Sequence, residues 1–192
     1  MTKLRVVLDA CVLFPMYLRD TLLSAAEEDL YLPYWSQEII DEVIGNLVKG
    51  GTFSQEKAKN LESKIQLAFP EAMVEVPVAL EQAMTNDPKD RHVLAAAVTA
   101  GADIIVTNNL KDFRENDLAP WKIIAQSPDE FLSDLLDEYP DSIVDLLQQQ
   151  SQKYKNPPKT FTELINFLGK KAGTPKFASN LLLKVQRREE NQ

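Results

Sequence analysis

Ten residues near the start, LRVVLDACVL at positions 4–13, restrict the fold more than any other stretch. Leu4, Val6, Val7 and Leu8 form a short apolar run rich in β-branched residues. That is the composition of a strand buried on both faces, as the central strands of parallel sheets are. The run stops at Asp9, where such a strand should emerge. Ligands of open α/β sheets sit beyond the carboxyl ends of the strands. A carboxylate there, followed by apolar residues and not by turn residues, is a candidate binding group. Its structural alternative is a side-chain cap on the next turn.

The rest of the chain supports a parallel sheet. Phe14–Asp29 carries Met16, Leu18, Leu22, Leu23 and Ala26 at helical spacing, and Leu30–Trp35 reads as a strand or its approach. Ser36 and Ser54 are N-cap candidates for two further helices, the second running to about Ala68, and Met73–Val76 reads as a strand. Asp87-Pro88 predicts a helix start, with Asp at N-cap and Pro in the first turn, running through HVLAAAVTA to Gly101. Asp103–Thr107 is then a buried strand and Lys122–Ala125 a last short one. Strands and helices alternating at this spacing indicate βαβ units. Beyond Gln126 the strand signal ends. Helix starts are expected at Ser127-Pro128, Pro140, the capping box Thr160–Glu163 and Thr174-Pro175, with Asn156-Pro157-Pro158 as a linker. The expected organisation is an α/β domain over residues 1–126 and a helical extension with a basic tail over 127–192.

Composition narrows the setting. The 44% hydrophobic and 26% charged content is that of a globular protein, with no apolar run of membrane-spanning length. One cysteine, Cys11, excludes an internal disulfide, and no signal peptide is evident, so a cytoplasmic location is expected. The net charge of −8 is unevenly spread. Residues 1–150 hold 12 Lys and Arg against 26 Asp and Glu, whereas residues 151–192 hold 9 against 3. An acidic body repels nucleic acid unless cations or a local basic surface intervene. The tail could provide that surface, or it could neutralise the seven carboxylates between Asp129 and Asp145.

Four acids stand at element ends or on a helix able to face them: Asp9, Glu42, Asp90 and Asp112. In a parallel sheet strand ends and helix starts share an edge, so Asp9, Asp90 and Asp112 should converge. Clustered carboxylates raise one another's pKa unless a cation neutralises them. Oxygen-only donors favour Mg²⁺ or Mn²⁺ over zinc, and such an ion could activate water for attack on a phosphodiester. Each acid has a bland alternative: Asp90 as a dipole or capping group, Glu42 as one charge on a solvated face beside Glu38 and Asp41, Asp112 as a turn residue. The combination is more specific than its parts.

VVLDACVL, the helical IIDEV, DPKDRHVLAAAV and DIIVTNNLKDF, in that order, resemble the PIN-domain ribonucleases, a family that includes the VapC-like toxins of toxin–antitoxin pairs. The resemblance covers residues 4 to about 125. It implies a three-layer α/β/α fold around a parallel sheet, an acidic pocket for one or two Mg²⁺ or Mn²⁺ ions, and endonucleolytic cleavage of single-stranded RNA. By position, Asp9 and Asp90 resemble the principal metal ligands, Glu42 the helix-borne acid and Asp112 the fourth acid. Thr107 resembles the small polar residue that hydrogen-bonds the first Asp. Some members carry an acid where this chain has Asn108 and Asn109, so either Asp112 or Asn109 fills that place. A small antitoxin and a homodimer are further implications of the resemblance.

Lys89, Arg91, Lys111 and Arg114 flank the expected pocket and could position RNA phosphates. Tyr34, Trp35 and Phe113 could stack on bases, with core packing the alternative for Trp35. His92, the only histidine, could orient phosphate or simply pack on its helix, and Cys11 reads as a small buried hydrophobe. Two other functions compete with the nuclease. A haloacid-dehalogenase-type phosphatase also begins with Asp after the first strand, but its second Asp, two residues on, is here Cys11. A degenerate domain that binds RNA or a protein without cutting is the non-enzymatic alternative.

Overall fold

The structure, a computed structural model, describes residues 3–190. Its packing forms two compact units: residues 3–14 with 31–127, and residues 15–30 with 128–190.

The first unit is α/β, built on a five-stranded sheet in which every pairing is parallel. The strands are β1 (Arg5–Leu8), β2 (Leu32–Ser36), β3 (Met73–Val74), β4 (Ile104–Val106) and β5 (Ile124–Gln126), in the order β3-β2-β1-β4-β5. The first strand is central. Val6 lies opposite Pro33 on one side and Ile104 on the other, and Val6, Val7 and Leu8 are all fully buried. Both faces of the sheet are therefore covered, as the unbroken apolar run requires. Because β2 and β4 flank β1 on opposite sides, strand order reverses beside it, and the crevice of an open sheet forms at such a point.

Among the described residues, six α-helices belong to this unit: α1 (Ala10–Leu13), α3 (Gln37–Lys49), α4 (Gln55–Ala68), α5 (Val78–Gln82), α6 (Arg91–Ala100) and α7 (Glu115–Leu118). The serine caps form as expected, Ser36 Oγ accepting from the Ile39 N–H and Ser54 Oγ from the Lys57 N–H. Val93–Ala97 are buried without a break, and their small side chains let α6 lie against β1, β2 and β4. Gly101 ends α6 at φ +59°, the left-handed conformation that favours glycine. Trp35 is fully buried and meets Phe69 edge-to-face at 5.8 Å.

Several expected boundaries shift by one or more residues, the strand expected over Met73–Val76 ending at Val74, and two of the shifts have a local cause. Helix α6 starts at Arg91 and not at Asp87-Pro88. The Asp87 carboxylate accepts from the Lys89 N–H, and the Asp87 carbonyl accepts from the Asp90 N–H, so these residues close a separate turn before the helix. The last strand begins at Ile124 because Lys122 turns left-handed at φ +59° after a short 3-10 turn. The brief helices α1 and α5 had no signature long enough to read.

The second unit is helical: α2 (Met16–Glu27), α8 (Pro128–Glu138), α9 (Pro140–Lys153), α10 (Phe161–Lys171) and α11 (Pro175–Glu190). Helix α2 packs on α9 and α10. Their seam carries a polar chain: the Thr21 hydroxyl donates to Gln150 Oε1 at 2.9 Å, Gln150 Nε2 donates to the Tyr154 hydroxyl at 2.9 Å, and that hydroxyl donates to Asp20 at 2.8 Å. The capping box at Thr160 forms with both of its bonds. The basic tail folds onto the acidic run. Lys184 pairs with Asp137 at 3.2 Å, Arg188 with Asp145 at 2.8 Å, and Asp129 accepts the first N–H groups of α11 from Lys176 and Phe177. Among the described residues, no helix is long and apolar enough to cross a membrane.

Candidate functional site

Asp9 follows β1 directly, and its N–H donates to the Val106 carbonyl at the end of β4. It occupies the N-cap position of α1, yet its side chain makes no capping bond. The carboxylate turns to the crevice between β1 and β4. Its Oδ2 accepts from the Thr107 hydroxyl at 2.6 Å and from the Cys11 thiol at 3.1 Å. Thr107 Oγ1 in turn accepts from the Asn109 N–H at 2.9 Å, and Cys11 Sγ accepts from the Asn108 N–H at 3.2 Å. Asp9 is 3% exposed and Thr107 fully buried, so this carboxylate is held in one orientation by donors from both strand ends. Cys11 is thus more than a space-filling hydrophobe. Burial, then the adjacent Asp9 carboxylate, push its thiol up to about 12, which keeps it a protonated donor.

Asp90 repeats the pattern. It stands at the N-cap position of α6 and also makes no side-chain cap. Its carboxyl is pushed up to about 6, first by desolvation and then by the charges of Asp9 and Asp112. Asp112 closes a short 3-10 turn, Leu110–Asp112, and is half-buried. Among the described residues no cation pairs with Asp9, Asp90 or Asp112.

Glu42 projects from α3, and its carboxylate lies 3.7 Å from Nε2 of the buried His92. Asn109 enters through its backbone, with an exposed side chain. Of the four flanking cations, Arg91, Lys111 and Arg114 line a polar cavity that also includes Asp112, whereas Lys89 does not. The aromatic residues are spent elsewhere: Trp35 and Phe113 are buried, and the Arg5 guanidinium covers the Tyr34 ring at 4.7 Å.

The donor set is oxygen-only and not neutralised by protein cations, which suits a hard divalent ion. Among the described residues, however, no three His, Cys, Asp or Glu side chains lie together at metal-coordinating spacing.

Two family models match the chain: the PIN domain over residues 5–111 and the VapC50 C-terminal domain over residues 128–182. Over 97 residues the chain is also 44% identical to a Mycobacterium tuberculosis protein named "Putative ribonuclease VapC50". That alignment takes in 50% of this chain and 56% of the relative, so the match spans little more than half of the relative's length. The helical residues beyond the sheet, which the sequence motifs left without a counterpart, thus match a family model of their own. The PIN domain match alone runs through more than half of the chain and takes in Asp9, Asp90 and Thr107 together, and on it the chain belongs to the PIN domain family.

Proposed function

We propose that this chain is a metal-dependent endoribonuclease that cleaves single-stranded RNA, acting in the cytoplasm as the toxin of a toxin–antitoxin pair. One observation carries the reading. Two buried or half-buried aspartates occupy helix N-cap positions and cap nothing; the Asp9 carboxylate is held between the ends of β1 and β4, and the charges of Asp9 and Asp112 help to raise the Asp90 carboxyl. Membership of the PIN domain family and the relative named as a ribonuclease support the same chemistry.

Asp9, Asp90 and Asp112 are the residues that would hold Mg²⁺ or Mn²⁺. Bound there, the ion would supply an activated water and neutralise charge on the phosphate under attack. Thr107 and Cys11 fix the Asp9 carboxylate, freeing its other oxygen for the centre. Glu42 is the helix-borne acid at the rim, with His92 beside it. Arg91, Lys111 and Arg114 set the RNA backbone against these acids. A small antitoxin protein would suppress the activity by covering the same acids, and a homodimer is the expected assembly.

The test incubates purified protein with labelled single-stranded RNA in Mg²⁺, Mn²⁺ or EDTA, with Asp9→Asn alongside. Cleavage that needs the metal and vanishes in the variant is expected. Cleavage retained by Asp9→Asn would sink the assignment. RNA binding without cleavage in either metal would favour the degenerate reading, for which Asn108 and Asn109 stand in place of acids.

A further inference from the structure

A polar cavity of about 300 Å³ shares Asp112 with the acidic centre and extends away from it, between the residues preceding α6 and those following β4. Arg91, Lys111 and Arg114 line it. Among the described residues none of these cations forms an ion pair, although acids line the same cavity. Two of those acids are engaged otherwise: Asp117 accepts the Thr85 hydroxyl at 2.5 Å, and Asp87 accepts the Lys89 N–H at 3.0 Å. Arg91 Nε donates to the Asn86 carbonyl at 3.4 Å, and its terminal nitrogens, with Lys111 and Arg114, are suited to an anion from outside.

One residue at the wall of the cavity carries an unsatisfied amide. Asn86 is 3% exposed, and both its Oδ1 and its Nδ2 lack a hydrogen-bond partner. A buried amide with neither end paired is costly and calls for a specific explanation. An unpaired nucleobase edge offers a donor and an acceptor side by side, the complement of an asparagine amide.

We propose that this cavity is the subsite for one unpaired nucleotide adjoining the scissile phosphate, its phosphate held by Arg91, Lys111 and Arg114 and its base edge met by the Asn86 amide. The proposal rests on the ribonuclease reading for the identity of the polymer. It adds where a neighbouring nucleotide sits and which side chain contacts its base.

The experiment uses the whole chain in EDTA, so that no cleavage can occur. Isotope-labelled protein is titrated with the four ribonucleoside 5′-monophosphates and, separately, with inorganic phosphate, and NMR shifts are followed. Nucleotides are expected to shift the Asn86 side-chain amide and the backbone signals of Arg91, Lys111 and Arg114. Inorganic phosphate should shift only the last three. Lys111→Gln with Arg114→Gln, both exposed positions that leave the fold intact, should weaken nucleotide binding at least tenfold. Asn86→Leu, uncharged and of similar size, should narrow the differences among the four nucleotides. An Asn86 amide unmoved by all four nucleotides would overturn the proposal, as would inorganic phosphate reproducing every shift. Metal-dependent RNA cleavage beside an unmoved Asn86 would reject the subsite and keep the nuclease. Nucleotide-specific shifts beside no cleavage would do the reverse.

Discussion

The Thr107 hydroxyl donates to Asp9 across 2.6 Å, joining the residue that follows β4 to the residue that follows β1. The same oxygen of Thr107 accepts from the Asn109 N–H, so one buried hydroxyl fixes both a carboxylate and the start of the next turn. Its orientation is dictated at each end: a carboxylate only accepts, and an amide N–H only donates.

Removing that hydroxyl should therefore cost both function and stability. Thr107→Val leaves the Asn109 N–H without its partner and lets the Asp9 carboxylate turn. Loss of such an orienting bond typically lowers metal affinity or activity roughly 10–100-fold, and an orphaned buried group costs about 1–3 kcal/mol. Thr107→Ser keeps the hydroxyl and should recover most of the RNA cleavage rate. Steady-state kinetics on the two variants, with thermal melts of each, separate this from a purely structural role. Equal losses in Val and Ser would refute it.

Asp90 makes the metal-free protein sensitive to pH. Its carboxyl is raised from 3.8 to about 6 by desolvation and by Asp9 and Asp112. A raised pKa means the native state binds a proton that the unfolded chain has released. This contribution to stability is fully present below about 3.8 and is lost as pH rises through about 6. In EDTA, Asp90→Asn should thus raise the melting temperature at pH 7.5 and have little effect at pH 4. Manganese should stabilise the wild type at pH 7.5, by about 1.4 kcal/mol at ten times its dissociation constant, and should not stabilise the variant. Melting curves that show no pH-dependent difference between the two chains would count against the electrostatic link between these acids.

Much of this was legible in the chain. The β-branched run before Asp9 read as a buried central strand because a strand covered on both faces needs no alternation. Ser36, Ser54 and the Thr160–Glu163 box read as helix starts because capping is local chemistry. Asp87-Pro88 misled for the opposite reason. The same residues that open helices also close turns, and only the bond from the Lys89 N–H to the Asp87 carboxylate decides between them. The thiol of Cys11 on Asp9 follows from their shared i, i+2 placement across a four-residue helix that no periodicity could show. The apolar face of Met16–Glu27 was evident. Its polar seam to Gln150 was not, because 129 residues separate Thr21 from that partner.

Cys11 should be chemically quiet. With its thiol pushed up to about 12 from 9.0, mainly by burial, the thiolate fraction at pH 8 falls roughly a thousandfold below that of an unperturbed cysteine. Iodoacetamide labelling of the native protein, followed by mass spectrometry, should be slow, and labelling in denaturant should be fast. Rapid modification of the native protein would show that the thiol is not held as a donor to Asp9.

The two basic regions should differ in their effect on RNA. Lys184 and Arg188 are occupied by Asp137, Asp141 and Asp145, whereas Lys111 and Arg114 form no ion pair among the described residues. Lys184→Gln with Arg188→Gln should leave RNA affinity within about twofold. Lys111→Gln with Arg114→Gln should weaken it and flatten its salt dependence, since the slope falls by about 0.7 for every single-strand phosphate that is no longer neutralised. Filter binding across a salt series in EDTA measures both. A steeper loss from the tail pair would place the RNA on the helical unit.

Gly169 tests the packing of that helical unit by itself. A Cβ built at this position would lie 2.9 Å from the Ala178 Cβ, where α10 crosses α11, and 3.9 Å from the Pro175 backbone. Neither neighbour is the movable end of a long side chain, so a larger residue must push the helices apart. Gly169→Val adds two further carbons, and its β-branch brings little gain in helix propensity. Overpacking of this kind costs about 1–3 kcal/mol. At the size of this chain that is a fall of roughly 2–4 °C in melting temperature for each kcal/mol. Asp9 and its partners belong to the other unit, so RNA cleavage measured well below the melting transition should be unchanged. Calorimetry of Gly169→Val beside the wild type checks the first expectation and a cleavage assay the second. A variant as stable as the wild type would mean that α10 and α11 do not approach as closely as a bare Cα requires.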